Sequence, residues 1–378
     1  MRIGIDAHAA EADGSGNCTY IRNLVSALTA GDEENRYFLY VTDLAHPFYR
    51  GFEGRPNIFL RRLGVKSPLV RIPLHLSRAT VRDEVDVLHV QFVAPPFHRG
   101  ALVVTIHDLG FLRVPKTFSR IFVWRSKVLV ERAARRAAKI ITGSISSKED
   151  IIKTYGLAED RLEVVPCGVE AAFFEPAGPR RVEEAAAKYG LRRPYILSVS
   201  RLNPRKNLAA LARAFSRFKG FGGRPHSLVI AGKRDFEAGK TLAAVKAAGG
   251  PDVVLPGFVD DEDLPALYQG AEIFVYPSLF EGVGLPVLEA MASGLPVVTS
   301  ATSSLPEIAG EAALTVDPLD EEALAAALAR LAGDPALRKD LGAKGRARAA
   351  NFSWEAAARR TLEVYRAAAP DESPVRLR

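Results

Sequence analysis

Short β-branched runs alternate with helical patterns along the whole chain, and that alternation admits few folds other than layered α/β with parallel sheets. In the first half, strands are expected at Arg2–Asp6, Tyr37–Val41, Val85–Val90, Leu102–Ile106, Lys139–Thr142 and Leu162–Val165. Helices are expected at Thr19–Thr29, Arg120–Ala138 and Lys148–Tyr155. The last has Ser147 and Asp150 in an acidic variant of a capping box, and Gly156 where a C′ glycine belongs. The stretch Glu175–Pro194 then breaks the rhythm. Pro176, Gly178, Pro179 and Pro194 surround one short charged helix, Val182–Tyr189, and the stretch reads as an interdomain connection.

A second series follows. Strands are expected at Tyr195–Ser200, Ser227–Ala231, Val253–Leu255, Ile273–Pro277, Pro296–Thr299 and Ala313–Val316. The helices are Asn207–Lys219, Thr241–Ala248, Asp263–Gln269, Pro286–Ala292, Glu321–Leu331, Pro335–Ala349 and Trp354–Ala369. At about 100–200 residues per domain, a chain of 378 residues divides into two. The expected units are 1–175 and 176–351, facing each other across a cleft at the strands' carboxyl ends, where such pairs bind ligands.

Composition narrows the class. Hydrophobic residues at 48% and charged residues at 25% exclude wholesale disorder. Two cysteines, Cys18 and Cys167, cannot build a disulfide framework, so the chain reads as a protein of a reducing compartment. No run approaches the ~18 apolar residues of a membrane span, and Asp6 interrupts the N-terminus before a signal peptide could form. The net charge of +7 suits phosphate-bearing ligands or an anionic membrane better than nucleic acid, which is not an expected partner.

Several motifs fail on spacing. The segment Gly232–Thr241 looks like a P-loop but sets six residues between its glycines where four are required. Gly14-Ser-Gly16 lies seven residues beyond its strand, whereas a dinucleotide fingerprint follows its strand directly. Asp261-Glu-Asp263 has the shape of a metal-binding pair, yet it opens a helix, where acids complement the macrodipole. The seven histidines show no paired metal spacing, and no metal site is expected.

The strongest signal is Pro277-Ser-Leu-Phe-Glu281-Gly-Val-Gly284-Leu285-Pro286-Val-Leu-Glu289. A strand ends, a glycine-bearing turn follows, and a helix opens near Pro286. Gly282 and Gly284 let backbone approach a ligand, and free amides at the helix start favour an anion. Glu281 in the turn and Glu289 a turn inside the helix could accept from different hydroxyls of one polyol; two surface acids at a helix start is the bland alternative. Arg201-Leu-Asn-Pro-Arg205-Lys206-Asn207 follows another strand, and its three cations suit a diphosphate. His107 follows a buried strand directly and points at the same cleft.

At these residues the sequence resembles the retaining glycosyltransferases of family 4, with the GT-B fold, and most closely their mannosyltransferase-like branch in bacterial surface polysaccharide or glycolipid synthesis. The resemblance implies a metal-independent transfer of a hexose from GDP-mannose or another nucleotide-diphosphate sugar to a glycan or lipid-linked acceptor, with no cofactor. It implies that Arg201 and Lys206 hold the donor diphosphate, Glu289 the ribose, and Glu281 the transferred sugar. Gly282, Gly284 and Leu285 would approach sugar and phosphate, His107 would contact the sugar, and Gly16 would line the phosphates. Gly257, Phe258 and Val259 would meet the base. The helix 352–369 would cross back onto the N-terminal, acceptor-side domain. Cys167 stands where relatives usually have Asn, and Gly14-Ser-Gly16 departs from the commoner double-glycine loop. Rival readings are a sugar-nucleotide 2-epimerase on the same fold and a non-catalytic sugar-nucleotide sensor.

An anionic membrane surface is a further expected partner, which would make the protein cytoplasmic and peripheral at the inner face of the cell membrane. Between Glu53 and Asp83 there is no acid, while Arg55, Arg61, Arg62, Lys66, Arg71, Arg78 and Arg82 interleave with leucine, isoleucine and valine. Arg113–Lys139 carries nine cations against one acid, Glu131, with Phe118, Phe122 and Trp124 among them. Such mixtures seat in a headgroup layer, unless the apolar residues face the core and the cations are simply solvated.

Overall fold

The computed structural model describes residues 1–12, 14–65, 67–222 and 224–369. Among the described residues, thirteen strands build two all-parallel sheets. The first contains β1 (Arg2–Asp6), β2 (Arg36–Val41), β3 (Ile58–Arg62), β4 (Val87–Gln91), β5 (Ala101–Thr105), β6 (Lys139–Thr142) and β7 (Leu162–Val164), ordered β3-β2-β1-β4-β5-β6-β7. The second contains β8 (Tyr195–Val199), β9 (Ser227–Ala231), β10 (Val253–Gly257), β11 (Ile273–Tyr276), β12 (Val297–Ser300) and β13 (Ala313–Val316), ordered β10-β9-β8-β11-β12-β13. Their central runs are apolar on both faces, as helices on either side of a parallel sheet require; every residue of β9 and β12 is buried.

In each sheet the strand order reverses beside the first strand, opening a crevice between β1 and β4 and another between β8 and β11. Ligands bind at such switch points. The basic turn Arg201–Lys206 follows β8 and the turn Pro277–Gly284 follows β11, so the two strongest sequence signals flank one crevice.

Helix Trp354–Ala368 returns to the first domain. Val169 N donates to Phe352 O at 3.0 Å, Tyr365 OH lies 2.6 Å from His89 Nδ1, and a Cβ on Gly168 would stand 2.2 Å from Trp354 N. Only glycine admits the helix at that spacing.

Four sequence expectations change. Strand β3 was not expected: Ile-Phe-Leu-Arg-Arg is short, ends in cations and forms the sheet edge, so it lacks the continuous apolar run of its neighbours. The helix expected from Lys148 starts at Ile145, capped by Ser144, whose Oγ accepts from Ser147 N at 3.1 Å. Asp150 pairs with Arg113 instead of capping. The expected connecting helix runs Gly178–Lys188 and is fixed to the second domain, where Arg181 reaches Asp263 at 2.6 Å and Ala177 N donates to Gln269 at 2.8 Å.

Much of the basic 54–82 stretch is structural. Arg71 is buried against Asp6, Arg61 and Arg82 both bond Asp83, Arg55 donates to Thr29 O, and Leu63 and Leu76 are core residues. Lys66 lies outside the described residues. In the second stretch Arg113, Arg135, Arg136 and Lys139 are bonded to protein groups. Helix Arg120–Arg136 nonetheless leaves Ile121 79% and Trp124 71% exposed, beside exposed Lys116, Arg120 and Lys127.

Candidate active site

A cleft of about 590 Å³ separates the domains. Turns just beyond the strand ends carry many of its polar groups, and helix Leu285–Ala292 adds Glu289. The two turns of the second domain are tied together: Leu279 N donates to Arg205 O at 2.9 Å, and Arg205 Nη1 to Phe280 O at 2.8 Å. Asn207, in a left-handed conformation at φ 57°, ends the basic turn and donates its amide to Pro318 O at 2.6 Å.

This bracing brings Lys206 and Glu281 into direct contact. Nζ of Lys206 lies 2.5 Å from Glu281 Oε1 and 2.6 Å from Tyr276 OH. Ser278 Oγ donates to the same carboxylate at 2.5 Å, and Arg205 approaches Oε2 at 3.4 Å. Burial pushes the Glu281 carboxyl upward, but Arg205 and Lys206 outweigh it and hold the group at about 2. Burial pulls the Lys206 ammonium down to about 8, with Glu281 opposing that shift. Both groups are therefore ionised at neutral pH.

Arg201 is separate from this cluster. It is 44% exposed and pairs with Asp235 at 3.5 Å, so of the two cations assigned to a diphosphate one is exposed and one is buried. Arg205, one of the three cations of the basic turn but given no role of its own by the resemblance, reaches the first domain, 3.6 Å from Asp108. Lys233, missed in the sequence, lies over the Phe258 ring at 4.1 Å.

Gly284 caps helix Leu285–Ala292 in a left-handed conformation at φ 90°, where a Cβ would strike Leu305 at 2.6 Å. Glu289, on the same helix, accepts from Tyr268 OH at 2.8 Å. Burial pushes its carboxyl up to about 7; the tyrosine bond opposes this, and Glu170 and Asp261 add to it. Glu281 and Glu289 thus stand in opposite electrostatic settings within one element.

From the first domain, His107 projects between the Tyr20 and Phe92 rings and donates Nε2–H to Gln91 at 2.9 Å. Burial lowers its pKa to about 4, so the imidazole is neutral. A Cβ on Gly282 would stand 2.2 Å from His107 O, which explains glycine there by close approach of the two domains. Gly16 lines the cleft with nothing crowding it; the tightly packed glycine is Gly14, against Lys233 and Phe258. Phe258, Val259, Leu285 and Gly282 line the cleft, whereas Gly257 stands behind it, its carbonyl taken by Gly232 N at 2.7 Å. Asp263 is held by Arg181, Lys188 and Tyr189, with the Lys188 bond foremost in lowering its pKa, so its role is an ion-pair anchor, not a helix cap. Cys167 is buried and its thiol pushed up to about 12, which leaves no thiolate for nucleophilic chemistry.

Two parallel-sheet domains with this cleft define a GT-B protein. Solved structures agree. Sucrose-phosphate synthase from Thermosynechococcus elongatus superposes with a TM-score of 0.77 at 24% identity, covering 97% of this chain and 98% of that one. WaaG, a glycosyltransferase involved in lipopolysaccharide biosynthesis, gives 0.74 at 16% identity over 97% and 99%.

Residues 16–173 match glycosyltransferase family 4 and residues 181–348 match glycosyl transferases group 1. O-antigen chain mannosyltransferase B of Escherichia coli is 32% identical over 318 residues, 83% of each chain. MMP alpha-(1->4)-mannosyltransferase of Mycolicibacterium hassiacum is 35% identical over 240 residues, 62% of this chain and 55% of that protein. The chain belongs to the family 4 glycosyltransferases, in their mannosyltransferase-like branch.

Proposed function

We propose that this glycosyltransferase moves a hexose, mannose in the first instance, from a nucleotide-diphosphate donor such as GDP-mannose to a hydroxyl of a glycan or lipid-linked acceptor in surface polysaccharide synthesis. Anomeric configuration is retained and no metal is required. The observation that carries the reading is the joining of the basic turn to the Glu281–Glu289 element across one crevice, opposite His107. In the proposed mechanism the donor diphosphate lies at the start of helix Leu285–Ala292, against Lys206 and Arg201. Negative charge grows on it as the sugar departs, and cations fixed there in advance favour that transition state. Glu289 accepts from the ribose hydroxyls and Glu281 from the sugar.

Retention through a covalent intermediate would need a free carboxylate on the sugar's far face. Asp108 is turned to Gly110 N at 2.7 Å and to Arg205, and His107 is neutral, which favours reaction on the front face. The test is incubation of labelled GDP-mannose with a bacterial glycolipid fraction, with and without EDTA, and NMR of the product. An α-linked mannoside formed in EDTA supports the reading. A β-linkage contradicts retention, a requirement for Mg²⁺ or Mn²⁺ contradicts metal independence, and isomerised nucleotide sugar without transfer favours the epimerase.

The acceptor side includes a membrane in this reading. Phe118 lines the cleft and stacks on Phe122 at 5.5 Å, and Phe122 lies in the first turn of the helix that exposes Ile121 and Trp124. That apolar path from surface to cleft, ringed by cations, suits a lipid-linked acceptor at an anionic bilayer.

A further inference from the structure

The side chain of Glu307 crosses from the second domain to the first. Its carboxylate accepts from Ile145 N at 3.0 Å and Ser146 N at 3.2 Å, the first amides of helix Ile145–Tyr155. These are groups a helix leaves without internal partners, and a carboxylate there is favoured by the helix dipole. One residue on, Ser147 Oγ stands within reach of two carbonyls from different domains, His107 O at 3.1 Å and Gly282 O at 3.4 Å. The contact is close on both flanks. A Cβ on Gly143 would lie 2.3 Å from Val283.

Glu307 is itself aimed. It belongs to the short helix Leu305–Ala309, whose carbonyls at Glu307 and Ile308 each accept from Arg348 at 2.5 Å. The turn entering that helix grips Glu281: Glu281 N donates to Ser303 Oγ at 2.9 Å, and Ser304 Oγ donates to Glu281 O at 3.0 Å. One hydrogen-bonded path therefore runs from the backbone of Glu281 through Glu307 and the helix start to Ser147 and His107.

We infer that Glu307 and Ser147 are positioning residues that clamp the domains shut and set His107 over Gly282 at the distance transfer requires. Neither would touch substrate. The inference rests on the reading of the cleft as a donor site, and it adds that closure is held by protein groups before any acceptor arrives. Misplacing a catalytic group by about 1 Å costs roughly 10²-fold, so losing the clamp should act on turnover.

The test compares wild type with Glu307→Ala, Glu307→Gln and Ser147→Ala by small-angle scattering, calorimetry with GDP, and turnover of GDP-mannose. Wild type should scatter as the closed form and Glu307→Ala as a more open one. GDP affinity in Glu307→Ala should stay within about twofold, because the proposed nucleotide contacts lie in the second domain, while kcat falls about 10²-fold. Glu307→Gln keeps an acceptor oxygen and should recover part of that loss. An open wild type, or a Glu307→Ala protein both closed and fully active, overturns the clamp. If wild type turns over no nucleotide sugar, the functional reading fails, yet scattering still decides whether Glu307 holds the domains together.

Discussion

Lys206 Nζ and Glu281 Oε1 are 2.5 Å apart, and the two residues are 8% and 7% exposed. The cation proposed for the leaving diphosphate therefore rests on the carboxylate proposed for the sugar. A donor entering the cleft would exchange one anionic partner of Lys206 for another, without the lysine having to be ordered anew.

That contact sets the expected behaviour of Lys206→Ala. Removing one member of a buried ion pair typically costs about 3–5 kcal/mol, so urea denaturation should reveal a large loss of stability. Arg201→Ala breaks only an exposed pair worth about 0–1 kcal/mol and should melt near wild type. Both should lose about 10²–10³ in kcat. Unchanged turnover in the stable Arg201→Ala protein would remove Arg201 from the mechanism.

Donor affinity should depend on pH on both sides of neutrality. Glu289, raised to about 7, must ionise to accept from ribose, so calorimetric affinity for GDP should rise between about pH 6 and 8. Lys206, lowered to about 8, loses its charge above that pH, and affinity should then fall. Glu289→Gln should bind weakly with no acid limb. The same carboxyl binds its proton more tightly folded than unfolded, so its contribution to stability is present below about 4.5 and lost as pH rises through about 7. Glu289→Gln should flatten that loss in chemical denaturation.

Glu281→Gln separates the two partners. Glu281 raises the Lys206 pKa, so its removal should move the alkaline limb of GDP binding below that of wild type. An unmoved limb would mean that the two side chains are not coupled in solution.

Gly282→Ala should act as a wedge, since its Cβ would lie 2.2 Å from His107 O. Turnover should drop about 10²-fold, with GDP binding largely kept. Wild-type kcat would show that the domains need not meet there.

Trp124→Ala with Ile121→Ala should abolish sedimentation with anionic liposomes. Wild-type binding should weaken with salt, since exposed charges are screened over about 8–10 Å. Wild type remaining in the supernatant at low salt would remove the membrane from the account.

The fold was largely legible because parallel strands buried on both faces announce themselves as apolar runs; β1 and β9 have the residues expected of them. Strand β3 escaped because an edge strand can end in Arg61 and Arg62 and so lacks a continuous apolar run. The turns around Lys206 and Glu281 were legible as local patterns of charge and glycine. Their contact was not, since it depends on β8 and β11 being neighbours. Glu307 gave no signal, because its partners are backbone amides 162 and 161 residues away. The helix start was misplaced because Ser147 and Asp150 sit in a capping-box pattern, whereas Ser144, three residues earlier, is the residue that caps.

The most direct measurement is calorimetric titration of GDP-mannose and GDP into wild type and Glu289→Ala. The account predicts that wild type binds both ligands at one site per chain and that Glu289→Ala weakens both. Absence of binding to wild type, or equal affinity in the two proteins, would contradict the assignment of this cleft to a nucleotide-sugar donor.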